Sequence, residues 1–156
     1  VAFHQGSAEA TGFADAEFDA VVSRQLLWSL TDPVQAVREW ARATKPAGRI
    51  IAIDGLWHDP RLSARLCVQA GTALARLRGV RYHHYEDPYW DHVDQLPLSR
   101  ARSLDPARNA FIRAGLTRVL AEHLDGIDQV ERSGMPLHER LRAHYRRYLI
   151  EGTVPG

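Results

Sequence analysis

Between Glu17 and Gly55 the chain reads as strand, helix, strand, and no other stretch limits its fold so tightly. Phe18-Asp19-Ala20-Val21-Val22-Ser23 is a short apolar run that ends in small polar residues, and Arg49-Ile50-Ile51-Ala52-Ile53-Asp54-Gly55 is a second. Neither alternates polar with apolar, and near-continuous Val/Ile runs suit parallel strands covered on both faces. Thr31-Asp32-Pro33-Val34-Gln35 opens a helix between them. Asp32 can accept from the free N–H groups of the first turn, and Pro33 suits the first helical position because its missing donor costs nothing there. Val34, Val37, Trp40 and Ala41 then fall on one face. Lys45-Pro46-Ala47-Gly48 stops the helix and turns the chain into the second strand.

Several of these elements, in this order, carry a family resemblance. Gly6-Ser7-Ala8-Glu9, Phe13, Phe18-Asp19-Ala20-Val21-Val22, Asp32-Pro33 and Lys45-Pro46-Ala47-Gly48-Arg49-Ile50 resemble the class I S-adenosylmethionine-dependent methyltransferases, and within them the small-molecule branch typified by ubiquinone/menaquinone biosynthesis. The chain departs from the family pattern at Ala47, where glycine is usual, and at Ser7, where aspartate is commoner. The resemblance implies an α/β, Rossmann-like methyltransferase sheet, mostly parallel with a C-terminal antiparallel strand. It also implies an N-terminal truncation. The family's glycine-rich loop precedes the Gly-Asp/Ser-Ala-Glu element by several dozen residues, whereas six residues precede Ser7. On that reading the chain is one partial domain: a cofactor-side core over 1–55, a helical and aromatic insertion over 56–104 that could form a substrate lid, and a C-terminal helix with the last strands over 105–156.

The same resemblance assigns S-adenosylmethionine as cofactor, bound weakly or not at all by a fragment, and puts Gly6, Ser7, Ala8, Ser23 and Arg24 against it. The Ser7 hydroxyl would accept from the adenine amine; as an isolated residue it reads equally as a turn or cap serine. Ser23 and Arg24 follow the central strand, and ligands of open α/β sheets collect beyond the carboxyl ends of strands. Arg24 would face the cofactor carboxylate or a substrate, or pair with a surface acid. The implied reaction is methyl transfer to a small molecule, with reduced or no activity in the fragment alone. The alternative is a non-catalytic binding or assembly module that keeps the fold. No residue can be named as catalytic.

Taken in order, Val1-Ala2-Phe3 reads as a strand stub. His58, just past the second strand, is a candidate base, since an unperturbed imidazole titrates near ~6.5. Asp59-Pro60 opens a helix with Leu62, Leu66, Ala70, Leu74 and Leu77 as its apolar stripe. Tyr82 to His92 concentrates aromatics and histidines; it fits an aromatic wall over an acceptor or plain packing better than a metal centre, because adjacent His83 and His84 would point apart. Asp105-Pro106 opens another helix with Ala110, Phe111 and Ala114 inward and Gly115 as its stop. Leu116–Leu124 reads as a strand, Met135-Pro136 starts a short helix after a variable excursion, and Tyr148–Thr153 is the last strand. The basic run Arg140, Arg142, Arg146 and Arg147 reads as a solvated face, with phosphate binding the lesser reading.

At 156 residues the chain suits one domain, and a net charge of +1 gives no electrostatic case for nucleic acid. Cys67, the one cysteine, allows no intrachain disulfide and sits mid-helix as a small core residue. No apolar run is long enough to span a bilayer, and the default compartment is the cytoplasm. If the preceding strands are missing, Phe18–Val22 is a bare apolar edge. That predicts either a homo-oligomer paired through it or a rearranged N-terminus in which Val1–Phe3 or its neighbours cover it.

Overall fold

The computed structural model describes residues 1–57, 59–80 and 92–156. Four strands form one sheet: β1 (Phe18–Arg24), β2 (Thr44–Leu56), β3 (Thr117–His123) and β4 (Arg146–Thr153). Helices α1 (Pro33–Ala43), α2 (Leu62–Leu77), α3 (Asp105–Arg113), α4 (Asp125–Gly134) and α5 (Leu137–Arg140) connect or cap them. The strand order is β1-β2-β4-β3. β1 and β2 are parallel neighbours, with Val21 opposite Ile50 and Ser23 opposite Ala52. β4 runs antiparallel to both β2 and β3, so β1, β2 and β3 share one direction and the last strand is wedged between two of them. The expected mostly parallel α/β sheet with a C-terminal antiparallel strand is the observed fold.

Local chemistry explains α1. Asp32 caps it, its Oδ1 accepting from Gln35 N–H at 2.9 Å, and Pro33 occupies the first turn. Ala36, Val37, Trp40 and Ala43 turn inward, whereas Val34 and Ala41 are only half-buried. At the far end of the domain, Gly115 takes a left-handed φ of +94°, and Leu116 N–H donates to Phe111 O at 3.2 Å to close α3. α1 and α3 lie on the sheet face built by Ile50, Ala52, Tyr148 and Ile150, and Leu27, Trp40 and Phe111 complete the core.

The opposite face corrects the expectation of strands covered on both sides. Along β2 and β4 burial alternates strictly: Ile50, Ala52, Tyr148 and Ile150 are buried, and Ile51, Ile53 and Leu149 are half-exposed. Val22 and Leu120 stand further out, at 62% and 66% exposure, so among the described residues this face is open. Apolar runs in the sequence mark two apolar faces; only packing decides whether both find a cover.

Other local expectations are also revised. Val1–Phe3 forms no strand and is exposed, so it does not cover β1, which pairs with β2 alone. The Lys45–Gly48 turn lies inside β2, as a bulge between the Phe18–Thr44 and Ala20–Arg49 pairs. Ala47 there holds a φ of +62°, the conformation for which glycine is the usual residue. Arg61 rather than Asp59-Pro60 leads into α2. α2 also turns the other way: Ala64, Gly71 and Ala75 are its buried positions, and Leu62 and Leu77 are 68% and 85% exposed. The reason is close approach. A Cβ on Gly71 would lie 2.6 Å from the His138 carbonyl, so the small-residue face is the one that can meet α5. The stretch left as a variable excursion contains α4. Of the basic run, Arg147 is not solvated: its side chain is 16% exposed and pairs with Asp128 at 3.2 Å and with Glu131.

Candidate functional site

The carboxyl ends of β1 and β2 are tied together by one side chain. Beyond Arg24 the chain leaves the sheet at Gln25, whose φ is +53° and whose N–H donates to Ile53 O at 2.9 Å. It then makes a 3-10 turn over Leu27–Ser29, with Leu27 anchored in the core. Asp54, 2% exposed, sits under this turn. Its carboxyl accepts from Trp28 N–H at 3.1 Å, from Gly55 N–H at 2.7 Å and from the Trp57 indole N–H at 3.2 Å. Burial pushes the Asp54 pKa up, against the opposing pull of these donors. Burial, and then the nearby Asp54 charge, raises the Tyr148 hydroxyl in the same way. The strand-to-helix connections after β1 and after β2 are thus held by one buried acid.

Aromatic rings stand above that acid. Trp28 and Trp57 meet edge to face with centroids 6.5 Å apart, and Trp57 packs on Tyr145 at 5.5 Å. A cleft of about 460 Å³ opens between Gln25, Trp28, Trp57, Ser99 and the Asp94–Arg100 ion pair. A second cavity, of about 910 Å³, lies beyond the ends of β2 and β3, with Leu56, His123 and Tyr145 in its walls. Asp59 at its rim is held down to about 2, chiefly by hydrogen bonds from Arg61. Tyr145 is raised, first by burial and then by its bond to Glu131.

The sequence-predicted cofactor residues lie on two segments, the loop at Gly6-Ser7-Ala8 and the end of β1 at Ser23 and Arg24. Residues 8–16 form a strap along α1. The Trp40 indole N–H donates to Ala8 O at 2.9 Å, Thr11 donates twice to Glu39, and Arg42 donates to Phe13 O. Glu39 is held near about 2 by Arg42 first and Thr11 next. Glu9 Oε1 accepts from Thr31 Oγ1 at 2.8 Å and from Asp32 N–H at 2.9 Å. Those two residues immediately precede α1, so Glu9 ties the segment that follows Gly6-Ser7-Ala8 to the start of that helix. Ser7 is exposed and its hydroxyl oxygen accepts from Glu9 N–H at 3.2 Å, as a turn serine does. Ser23 is 7% exposed and Arg24 is on the surface.

Two sequence expectations lie outside the described residues: His58, and Tyr82–Asp91 of the aromatic and histidine segment. His92, which ends that segment, contacts the Gln95 side chain through Nδ1 at 3.3 Å. Among the described residues no group of three or more His, Cys, Asp or Glu is placed to hold a metal, and no helix is long and apolar enough to cross a membrane. Cys67 is half-buried on α2. Asp54 escaped the sequence reasoning, although an acid closing an Ile-Ile-Ala-Ile run is a visible signal. Of the arginines of the larger cavity, Arg140 and Arg146 were visible as part of a basic run, whereas Arg61, Arg102 and Arg132 had no such signal, because distant segments bring them together.

A family model described as a methyltransferase domain matches residues 1–52. The phosphoethanolamine N-methyltransferase 2 of Haemonchus contortus, in complex with phosphomonomethylethanolamine and S-adenosylhomocysteine, superposes with a TM-score of 0.55. It is 13% identical, over 96% of this chain and 36% of that one. The fold is the class I methyltransferase fold. The YcgJ protein from Bacillus subtilis (TM-score 0.52, 22% identity) covers 99% of this chain and 71% of its own. The [4+2]-cyclase SpnF (TM-score 0.55, 17% identity) covers 98% and 55%. No curated protein sequence matches the chain. The chain therefore spans about a third of the length of the Haemonchus enzyme, and these likenesses establish architecture rather than chemistry.

Proposed function

We propose that this chain belongs to an S-adenosylmethionine-dependent methyltransferase acting on a small molecule. The observation that carries the reading is a coincidence of two findings. The methyltransferase-domain match covers residues 1–52, and Gly6, Ser7, Ala8, Ser23 and Arg24 all fall within it, the last two at the carboxyl end of β1. Bound there, the cofactor supplies an activated methyl group on a sulfonium. The residues present fit its adenosine half. Exposed Ser7 keeps a lone pair and its own proton for an adenine edge, and buried Ser23 leaves room at the strand end. Arg24 offers a cation for a carboxylate. The remaining contribution of the chain is alignment and exclusion of water by the Trp28, Trp57 and Tyr145 wall; alignment of two reactants can lower a barrier by ~7–11 kcal/mol in well-oriented cases.

A titration of S-adenosylmethionine monitored by amide NMR tests this. Saturable shifts at Ser7, Ala8, Ser23 and Arg24, followed by methyl transfer to members of a small-molecule acceptor panel, are expected. Silence at those four positions at millimolar cofactor overturns it.

A second reading, assembly, rests on a separate observation. Among the described residues β1 pairs on one side only, and Val22 on that edge strand is 62% exposed. Unpaired N–H and C=O groups along such an edge favour pairing with another strand. We place a homo-oligomer contact on Phe18–Val22. A sedimentation experiment giving a monomer at every concentration would remove it.

A further inference from the structure

The larger cavity carries more positive charge than its own walls neutralise. Arg61, Arg102, Arg132, Arg140 and Arg146 line it, against Asp59, Asp125 and Asp128. Each aspartate already has a partner. Asp59 pairs with Arg61 at 2.5 Å, Asp125 with Arg146 at 3.0 Å, and Asp128 with Arg147, which is not part of the lining, at 3.2 Å. Arg102, Arg132 and Arg140 therefore have no carboxylate within ion-pair distance among the described residues.

These three differ in freedom. Arg132 is fixed: its Nη2 donates to the Tyr145 carbonyl and its guanidinium lies over the Tyr145 ring, 5.6 Å from the centroid. Arg102 and Arg140 are exposed, and their guanidinium groups make no hydrogen bond among the described residues. The same wall holds unmet polar atoms, since Arg132 Nε, His123 Nδ1 and His144 Nε2 are shut from water with no hydrogen-bond partner among the described residues. A concave site with surplus guanidinium groups attracts anions, and planar forks bind carboxylate or phosphate oxygens two at a time. The cavity opens at the same carboxyl end of the sheet as Ser23 and Arg24, with Leu56 at the end of the neighbouring strand β2 in its wall.

We propose that this cavity is the acceptor pocket and takes a small molecule bearing an oxyanion, a carboxylate or a phosphomonoester, held by Arg102 and Arg140 with Arg132 fixed behind them. The proposal rests on the methyltransferase reading for the word acceptor, and on the cavity alone for the anion.

Inorganic phosphate and malonate, titrated at constant ionic strength with chloride as control, are the probes, read by NMR of the arginine Nε–H groups. Saturable shifts at Arg102 and Arg140 are expected with phosphate or malonate and not with chloride. Arg102→Gln and Arg140→Gln should each weaken binding roughly tenfold with thermal unfolding unchanged. The tighter of the two probes says whether phosphomonoester or carboxylate is the group held. Shifts equal to those of chloride, or variants that bind as the parent does, overturn the proposal. Binding to phosphatidic-acid vesicles that needs both arginines, without binding of either soluble anion, also overturns it by assigning the cavity to a lipid headgroup. The cofactor titration above separates the two failures. Phosphate binding without cofactor binding sinks the methyltransferase reading and leaves the anion site; cofactor shifts at Ser7 and Ser23 without phosphate binding sink the anion site only.

Discussion

Replacing Asp54 by alanine should be among the costliest single changes outside the apolar core. Three donors converge on its carboxyl, from Trp28, Gly55 and Trp57. A buried donor left without a partner costs about 1–3 kcal/mol. Trp28 and Trp57 are half-buried and can recover part of that from water, and removal of a buried carboxyl returns a further part. A net loss of about 3–4 kcal/mol follows, or roughly 6–15 °C in Tm for a chain of this size. Urea and thermal unfolding followed by tryptophan fluorescence would measure it. Asp54→Asn supplies the sign test. Burial raises the folded-state pKa of Asp54 above the ordinary 3.8, so the unfolded state ionises first. Stability from this group is therefore full below that value and is lost as pH climbs through the folded value. Asparagine does not titrate. It should cost about 1–2 kcal/mol in acid, and its deficit against the parent should shrink as the pH rises. Acids held low, such as Glu39, act oppositely, losing their contribution as pH falls from 4.5 toward about 2, but they are common to both proteins and cancel in the difference. A deficit that widens with pH would refute the reasoning, since it would mean that the three donors outweigh burial.

Four further outcomes can be checked by the same unfolding measurements. Ala47→Gly should stabilise by about 0.5–1 kcal/mol, because a left-handed φ strains any Cβ; its neighbour behaves oppositely, and Gly48→Ala should cost about 2 kcal/mol or more, as a Cβ there would sit 2.7 Å from the Asp19 carbonyl oxygen. Asp32→Ala should cost about 1 kcal/mol, the usual value of a lost N-cap, with the effect carried by α1 in amide exchange. Gly71→Ala should cost about 1–3 kcal/mol by forcing α2 from α5, and a neutral result would show that the two helices can separate freely.

What lay in the sequence was local. The Asp32-Pro33 helix start, the Gly115 stop and the pairing of Val21 with Ile50 all rest on backbone chemistry and periodicity that act within a few residues or within one βαβ unit. The sequence marked Lys45–Gly48 as a turn ahead of the second strand, whereas it is a bulge inside β2, with Ala47 holding the left-handed φ for which glycine is usual. The bond from Glu9 to the start of α1, over more than twenty residues, was not legible along the chain.

Tertiary structure decided the rest, because burial depends on what arrives from elsewhere. The α2 leucines are as apolar as any core residue, yet Gly71 and the small residues around it let a neighbouring helix come closer, and contact went to that face. The second face of the sheet is as apolar as the first and stays open among the described residues. Arg102, Arg132 and Arg140 look like solvated surface residues along the chain. Only folding brings them around one cavity, where the aspartates beside them are already paired. Periodicity says which residues can be buried together; which of them are, and which charges are left over, is settled by the shapes that meet.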